Sequence, residues 1–172
     1  MYNSKSSYNN GIIQGGRFHT CALNEMEGIV CWGDNSFGQL GNGTNTDSLT
    51  PVPVLGLPEN VDTFSVGYTH CCAVLNGAVQ CWGLNASGQI GDGTNDDRNS
   101  PTIVSGLYPG YVQLAAGAAH SCALNDSGEV RCWGDNTRGQ LGDGSTTSSN
   151  VPVAVSGLQG GVVGAGDNLH SD

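Results

Sequence analysis

The chain has 172 residues with 28 glycines and 12% charged residues, a composition that suits one loop-rich β domain better than a helical one. Five lysines and arginines against fifteen aspartates and glutamates give a formal net charge of −10, and no basic cluster occurs. This charge makes nucleic acid and anionic membrane poor partners, and it favours a soluble, self-repelling surface over an acidic docking patch.

Residues 1–10 form a polar N-terminal arm without the apolar core of a signal peptide or a membrane anchor. No apolar run of about 18 residues follows, so we expect no membrane insertion. Seven cysteines nevertheless indicate an oxidising compartment, either extracellular or at the cell surface. A removed leader, or a longer parent chain, would reconcile these two observations.

A unit of about 50 residues is then repeated three times. Each copy begins with a short apolar segment and His-x-Cys-Ala, turns into Cys-Trp-Gly and a glycine-rich loop, and ends in Pro with a β-branched run. These four segments, separated by Gly, Asn and Pro, are typical of short strands. Four strands in about 50 residues is the size of a propeller blade. We therefore predict an all-β fold of β-propeller-type blades, each with four antiparallel strands.

The predicted units occupy residues 11–58, 59–109 and 110–159. Residues 160–172 resemble the first strand of a fourth unit that stops before any cysteine pair. Three blades cannot close a ring, because propellers typically have about 4–8 blades. The ring is therefore expected to be open, or to be completed by other subunits.

The turn inside each unit sets the register of its two cysteines. Cys72 and Cys81 flank Asn76-Gly77, the commonest type I′ hairpin signal. Counting outward makes them a non-hydrogen-bonded pair, whose side chains lie close together. In the first and third units one extra residue, with a glycine placed for a left-handed bulge, keeps this register. The register favours three disulfides over buried free thiols: Cys21–Cys31, Cys72–Cys81 and Cys122–Cys132.

Zinc is a weaker alternative for these cysteines, because each hairpin offers only two sulfurs and no C-x-x-C knuckle occurs. Cys71 has no partner within its hairpin. It lies on the opposite strand face from Cys72, either as a buried free thiol or as an intermolecular link.

The other repeated side chains are interpreted as scaffold. The tryptophan after each second cysteine is expected to pack one blade against the next. Equivalent histidines lie a whole blade apart and cannot share one ion, which favours hydrogen bonds to backbone over metal binding. The loop glutamines are expected to satisfy backbone groups, since the loop lacks the spacing and the Lys-Ser/Thr of a phosphate-binding loop. These residues are Trp32, Trp82 and Trp133; His19, His70 and His120; and Gln39, Gln89 and Gln140.

No catalytic, cofactor or metal site is predicted. Asp92 to Asp97 could suggest a calcium loop, but the matching segment from Asp143 to Asn150 has only one acid. No serine, histidine or aspartate lies in a distinctive catalytic motif. Asn42 and Asn85 begin glycosylation triplets, which leaves modification open.

The whole pattern resembles a known family. G-x-x-H-x-C-A-L, then G-x-V-x-C-W-G-x-N-x-x-G-Q-L-G-x-G-T, then P-V-x-V-x-G-L resembles the regulator-of-chromosome-condensation repeat over roughly residues 11–170. The cysteine pairs are similar to the version typical of secreted or surface proteins. The resemblance implies a propeller, usually of about seven blades, in which function lies in loops at the blade edges. Members include an exchange factor for a nuclear GTPase, a bacterial β-lactamase inhibitor and a plant ultraviolet photoreceptor.

We predict a non-enzymatic extracellular scaffold, structural or protein-binding, that assembles with itself into a ring or a filament. The alternative is an inhibitor or an exchange-factor-like fragment that acts on one specific partner. The expected partner is therefore a second copy or another protein, and no cofactor is expected. The candidate contact residues vary between the repeated loops: Phe37, Asp47, Ser87, Asp97, Arg138 and Ser148.

Overall fold

A computed structural model describes residues 13–24, 26, 28–57, 60–158 and 162. In this part of the chain twelve strands form three antiparallel four-stranded sheets, without a helix. The strands are β1 (Ile13–Gly15), β2 (His19–Asn24), β3 (Gly28–Gly33), β4 (Ser48–Pro53), β5 (Thr63–Val66), β6 (His70–Leu75), β7 (Ala78–Gly83), β8 (Arg98–Ile103), β9 (Tyr111–Ala116), β10 (His120–Asn125), β11 (Val130–Gly134) and β12 (Ser149–Ala154).

Each sheet takes its four strands in chain order, β1 to β4, β5 to β8 and β9 to β12, and so forms one up-and-down blade. The predicted all-β fold of four-stranded blades is confirmed. No helix among the described residues has the length and apolarity needed to cross a membrane. The arm predicted at residues 1–10 lies outside the described residues, as does the strand predicted at 160–172 apart from Val162.

The central hairpin of every blade has the expected register. Asn76 and Gly77 both adopt positive φ, 51° and 76°, as a type I′ turn requires. Gly128, at φ 83°, accommodates the extra residue of the third hairpin. The cysteines of each hairpin are direct cross-strand partners with Cα atoms 4.1 Å apart, and each pair forms a disulfide. Cys71 is a buried free thiol.

The hydrophobic core lies between blades rather than within one blade. One buried cluster joins side chains of the first two blades, including Ile29, Leu40 and Trp82. A second joins the second and third blades, including Ile90 and Trp133. A single four-stranded sheet has too little volume to bury its own faces, so the blades are stabilised by stacking.

Each buried tryptophan sits under a glycine of the preceding blade. A Cβ atom on Gly41 would lie 2.7 Å from Nε1 of Trp82, and one on Gly91 would lie 2.7 Å from Nε1 of Trp133. The indole N–H groups donate to carbonyl oxygens of the preceding blade, that of Gln39 at 3.0 Å and that of Gln89 at 2.9 Å. The predicted packing role of these two tryptophans therefore includes a buried hydrogen bond.

Candidate functional site

The loops between the third and fourth strands of each blade are organised by a fully buried asparagine. In the middle blade, Oδ1 of Asn85 accepts from the backbone N–H of Ile90 at 3.0 Å. Its Nδ2 donates to the carbonyls of Thr94 and Asp96 at 3.0 and 2.9 Å. Asn35 and Asn136 do the same in the other blades. A glycan on Asn85 would require this buried Nδ2, so the triplet there is not an acceptor in the folded chain.

Sequence reasoning did not give these asparagines a role, although the repeated Trp-Gly-x-Asn was a usable signal. An asparagine offers both an acceptor and two donors on a short, stiff side chain. It can therefore close a glycine-rich loop whose backbone has no strand partners.

The loop glutamines satisfy backbone groups, as expected. Oε1 of each accepts from the N–H two residues earlier at 2.9 Å. In the outer blades Nε2 also donates to a carboxylate: Gln39 to Asp34 at 2.6 Å, and Gln140 to Asp135 at 2.7 Å. The middle blade has Leu84 at the matching position, and Nε2 of Gln89 is buried without a hydrogen-bond partner.

The candidate contact residues divide into two groups. Phe37 and Arg138 are exposed and Ser87 is half-buried. The second group consists of Asp47, Asp97 and Ser148. A side-chain oxygen of each accepts from the backbone N–H of the loop asparagine of its own blade, at 2.8, 2.8 and 3.1 Å respectively. The second group therefore also shapes the loops, and a contact role for all six residues stays a prediction.

Asp92, the first acid of the suggested calcium loop, is engaged within the chain. One carboxylate oxygen accepts from the N–H and the hydroxyl of Thr94, at 2.9 and 2.7 Å. The other pairs with Arg98 at 2.6 Å. These bonds occupy the lone pairs that a calcium ion would need.

One cluster of metal-ligating side chains occurs among the described residues, at the junction of the first two blades. Nε2 of His19 lies 3.2 Å from Sγ of Cys71, which in turn lies 3.8 Å from Sγ of Cys21. All three residues are buried. Because Cys21 is bonded to Cys31, only two donors remain, fewer than the four that a structural zinc takes.

The second blade junction repeats this arrangement with a hydroxyl in place of the thiol. Nε2 of His70 lies 2.9 Å from Oγ of Ser121, which donates to the carbonyl of Gln89 at 2.9 Å. Sγ of Cys72 lies 3.6 Å from the same hydroxyl. The histidine partner is thus a side chain of the next blade rather than the expected backbone group. A signal was present, because the residue after each repeated histidine carries a hydroxyl or a thiol.

Burial keeps these junctions uncharged. Desolvation lowers the pKa of His19 to about 4 and that of His70 to about 3. The same cause raises the pKa of the Cys71 thiol far above its ordinary value. At neutral pH the cluster therefore contains a neutral imidazole beside a protonated thiol.

The two outer faces of the described structure carry residues equivalent to those of the internal junctions, but these residues are less buried. Trp32 is half-buried, whereas Trp82 and Trp133 are fully buried against a preceding blade. At the other end, Gln140 is half-buried, and Gly142 has no tryptophan near it among the described residues.

The fourth strand of the second and third blades contacts the preceding blade, and the matching strand of the first blade differs in sequence. Asn99 and Asn150 each accept from a glycine N–H of the preceding blade, at 2.8 and 2.9 Å. Their Nδ2 atoms also reach an asparagine side chain there, at 3.1 and 3.0 Å. Leu49 holds the matching position in the first blade and is 98% exposed. A leucine side chain cannot donate the hydrogen bond that Asn99 and Asn150 donate across their junctions.

Comparison with known proteins gives a consistent result. The family model described as the regulator of chromosome condensation (RCC1) repeat matches residues 29–74, 76–124 and 127–166, and a second model with that description matches 13–39 and 111–140. Over 148 residues the chain is 35% identical to the ultraviolet-B receptor UVR8 of Arabidopsis thaliana. This match covers 84% of this chain and 22% of the receptor. It is 35% identical over 149 residues to the human E3 ubiquitin-protein ligase HERC2, covering 86% of this chain and 2% of the ligase.

Solved structures show the same fold. Human WBSCR16 superposes with a TM-score of 0.72 at 27% identity, over 83% of this chain and 38% of that structure. Prp20p from Saccharomyces cerevisiae superposes with a TM-score of 0.74 at 23% identity, over 85% and 38%. The chain thus spans well under half of the length of each of these proteins.

Proposed function

Because the chain belongs to the regulator of chromosome condensation (RCC1) repeat family, we propose that it is a non-enzymatic protein-binding scaffold whose outer blades each accept a further blade. The described residues form three propeller blades, and the chain is related to proteins that bind partners. We propose a second copy of this chain as the partner, in a head-to-tail contact that closes a ring or continues as a filament.

The observation that carries this proposal is the complementarity of the outer faces. At both internal junctions, a tryptophan of the later blade fills a space under a glycine of the earlier blade and donates to a loop carbonyl. Trp32 is the equivalent donor without a described preceding blade, and the loop at Gln140 offers the equivalent space. The tryptophan and glycine contacts therefore support a third junction formed between two copies, in which Leu49 replaces the asparagine of the internal junctions.

Charge affects how strongly such copies associate. Each copy has a formal net charge of −10, so the copies repel one another at low ionic strength. Salt at about 0.15 M shortens the Debye length to roughly 8 Å. Association through an apolar junction is therefore expected to strengthen with added salt, whereas association through ion pairs would weaken.

Three disulfides in so short a chain support the proposed extracellular or cell-surface location. The non-enzymatic part of the proposal rests on how the polar side chains are used. Asp92, Asp97 and the loop asparagines and glutamines are engaged in holding the loops, which leaves loop edges for binding other proteins.

The test is the molar mass of the purified chain, measured by light scattering after size-exclusion chromatography in 0.15 M salt. We expect a multiple of the 17.6 kDa chain mass. Trp32→Ala should shift the mass towards a monomer, while Tyr108→Ala, which changes an aromatic residue that is 86% exposed elsewhere, should leave it unchanged. Circular dichroism would show whether each variant keeps its sheets.

A sharp monomer peak for the unmodified chain would contradict self-assembly. If that monomer captured one foreign protein in equal amount, the alternative of an inhibitor or exchange-factor-like fragment would take its place. Ring or filament is then decided by electron microscopy of the assembled peak.

A further inference from the structure

A free thiol faces a disulfide at the first blade junction. Cys71, on β6 of the second blade, is fully buried, and its Sγ lies 3.8 Å from Sγ of Cys21 on β2 of the first blade. Cys21 is bonded to Cys31 across its own hairpin. A disulfide sulfur is the atom that a thiolate attacks in exchange.

We propose that Cys71 and the Cys21–Cys31 disulfide form an internal exchange pair, so that a second pairing, Cys21–Cys71, links the first two blades covalently. The exchange replaces a bond within one hairpin by a bond between blades. Cys31 becomes the free thiol in place of Cys71.

The exchange is balanced without an outside oxidant or reductant. The Cys71 thiol loses its proton, and its sulfur attacks Sγ of Cys21. The bond between Cys21 and Cys31 breaks, and the electron pair leaves with Sγ of Cys31, which takes up one proton. One disulfide and one thiol are present before and after.

The neighbouring imidazole suits the first step. His19 is 3% exposed, and its Nε2 lies 3.2 Å from Sγ of Cys71, within reach of the thiol proton. Burial lowers the pKa of His19 to about 4, so the ring is neutral at pH 7 but is a weaker base than a free imidazole. The closed junction favours the thiol over the thiolate, so the exchange is expected to be slow and to depend on small movements between the blades.

The required movement is small. A disulfide joins sulfurs about 2.05 Å apart, so the Cys21 and Cys71 sulfurs must approach by roughly 1.8 Å. The second junction is a built-in reference, since Ser121 occupies the equivalent position 3.6 Å from Sγ of Cys72. A hydroxyl cannot form the corresponding bond, so exchange is confined to the first junction.

The experiment maps the disulfides of the full chain by mass spectrometry after incubation at pH 8. After the incubation and before the mapping, the protein is unfolded in acid denaturant and its free thiols are labelled with N-ethylmaleimide, so that the pairing no longer changes. In the unmodified protein we expect the label on both Cys71 and Cys31, with a cross-linked peptide pair that contains Cys21 and Cys71. In Cys31→Ser, oxidised glutathione should convert most molecules to the Cys21–Cys71 form.

Matched variants control for folding. Cys71→Ser copies the side chain present at the second junction, and in this variant Cys21 should be bonded only to Cys31. Cys81→Ser leaves Cys72 facing Ser121, and Cys72 should react with N-ethylmaleimide or glutathione instead of forming an inter-blade bond. Two results would overturn the proposal: label confined to Cys71 in the unmodified protein, or unpaired Cys21 and Cys71 in oxidised Cys31→Ser whose other two disulfides have formed.

Discussion

Lowering the pH from 7 to 5 is expected to destabilise the fold through two buried histidines. In the unfolded chain a histidine has a pKa of 6.5, whereas burial lowers that of His19 to about 4 and that of His70 to about 3. Between these values the unfolded chain binds protons that the folded chain does not. The free energy of unfolding therefore falls as the pH falls from about 6.5 towards 4.

The size of the effect follows from these pKa values. On going from pH 7 to pH 5, each histidine reduces the free energy of unfolding by about 2 kcal/mol. The two together reduce it by about 4 kcal/mol, a large part of the 5–15 kcal/mol that is typical of a domain. Burial also lowers the pKa of His120, which acts in the same direction.

Two carboxylates that bond the loop glutamines, Asp34 and Asp135, do not contribute in this pH range. Hydrogen bonds lower the pKa of both carboxyl groups below the ordinary 3.8. The largest cause is the Ser36 side chain for Asp34 and the Thr137 backbone for Asp135. Their stabilisation is present above that value and is lost only at more acidic pH. A change between pH 7 and pH 5 therefore reports on the histidines.

The assay is guanidinium chloride unfolding, followed by tryptophan fluorescence with the disulfides intact. Dilute protein keeps assembly from adding to the measured stability. His70→Gln should reduce the pH effect by about 2 kcal/mol, since one titrating group is removed. Equal free energies of unfolding at pH 7 and pH 5, or an unchanged pH effect in His70→Gln, would refute the reasoning.

Three further changes test the loops, the junctions and the hairpins. Leu84→Asp should raise the free energy of unfolding by about 1 kcal/mol, because Nε2 of Gln89 gains an acceptor. Leu84→Ala is its control, and an equal thermal midpoint for the two variants would contradict the assignment. Trp133→Phe should lower stability to denaturant by about 1 kcal/mol through the lost bond to the Gln89 carbonyl, which keeps its bond from Ser121, and Trp32→Phe should have little effect in the monomer. Replacing both Cys72 and Cys81 by serine should cost about 2.5–3 kcal/mol by chemical denaturation; no change would show that the hairpin is not constrained by its disulfide.

Much of the fold could be predicted because its signals are local. Asn76-Gly77 determines a turn, the turn sets the cross-strand register, and the register brings Cys72 opposite Cys81. Each step depends on residues within about ten positions of one another. The tryptophans were predictable for a similar reason, because alternation along a strand places the side chains after Cys31, Cys81 and Cys132 on the other face.

The candidate site was less predictable. The unpartnered Nε2 of Gln89 follows from a leucine at position 84, where the other blades have an aspartate. That difference is visible in the sequence, but its meaning depends on knowing that the glutamine points at that position. The two roles of the candidate contact residues were hidden in the same way, because a loop without regular structure has no periodicity that predicts its hydrogen bonds.

The sequence by itself determined the repeat, the four strands of each blade and the cysteine register, since turn residues and alternation act over short distances along the chain. Only the tertiary structure decided what meets between blades. Cys71 and Cys21 are 50 residues apart, and so are Gln14 and the Phe64 carbonyl that it contacts across the same junction. No local pattern encodes such a distance; it results from blades that stack because none can bury its own apolar faces. Stacking places the leftover thiol beside a disulfide and places Trp32 at an outer face of the described blades.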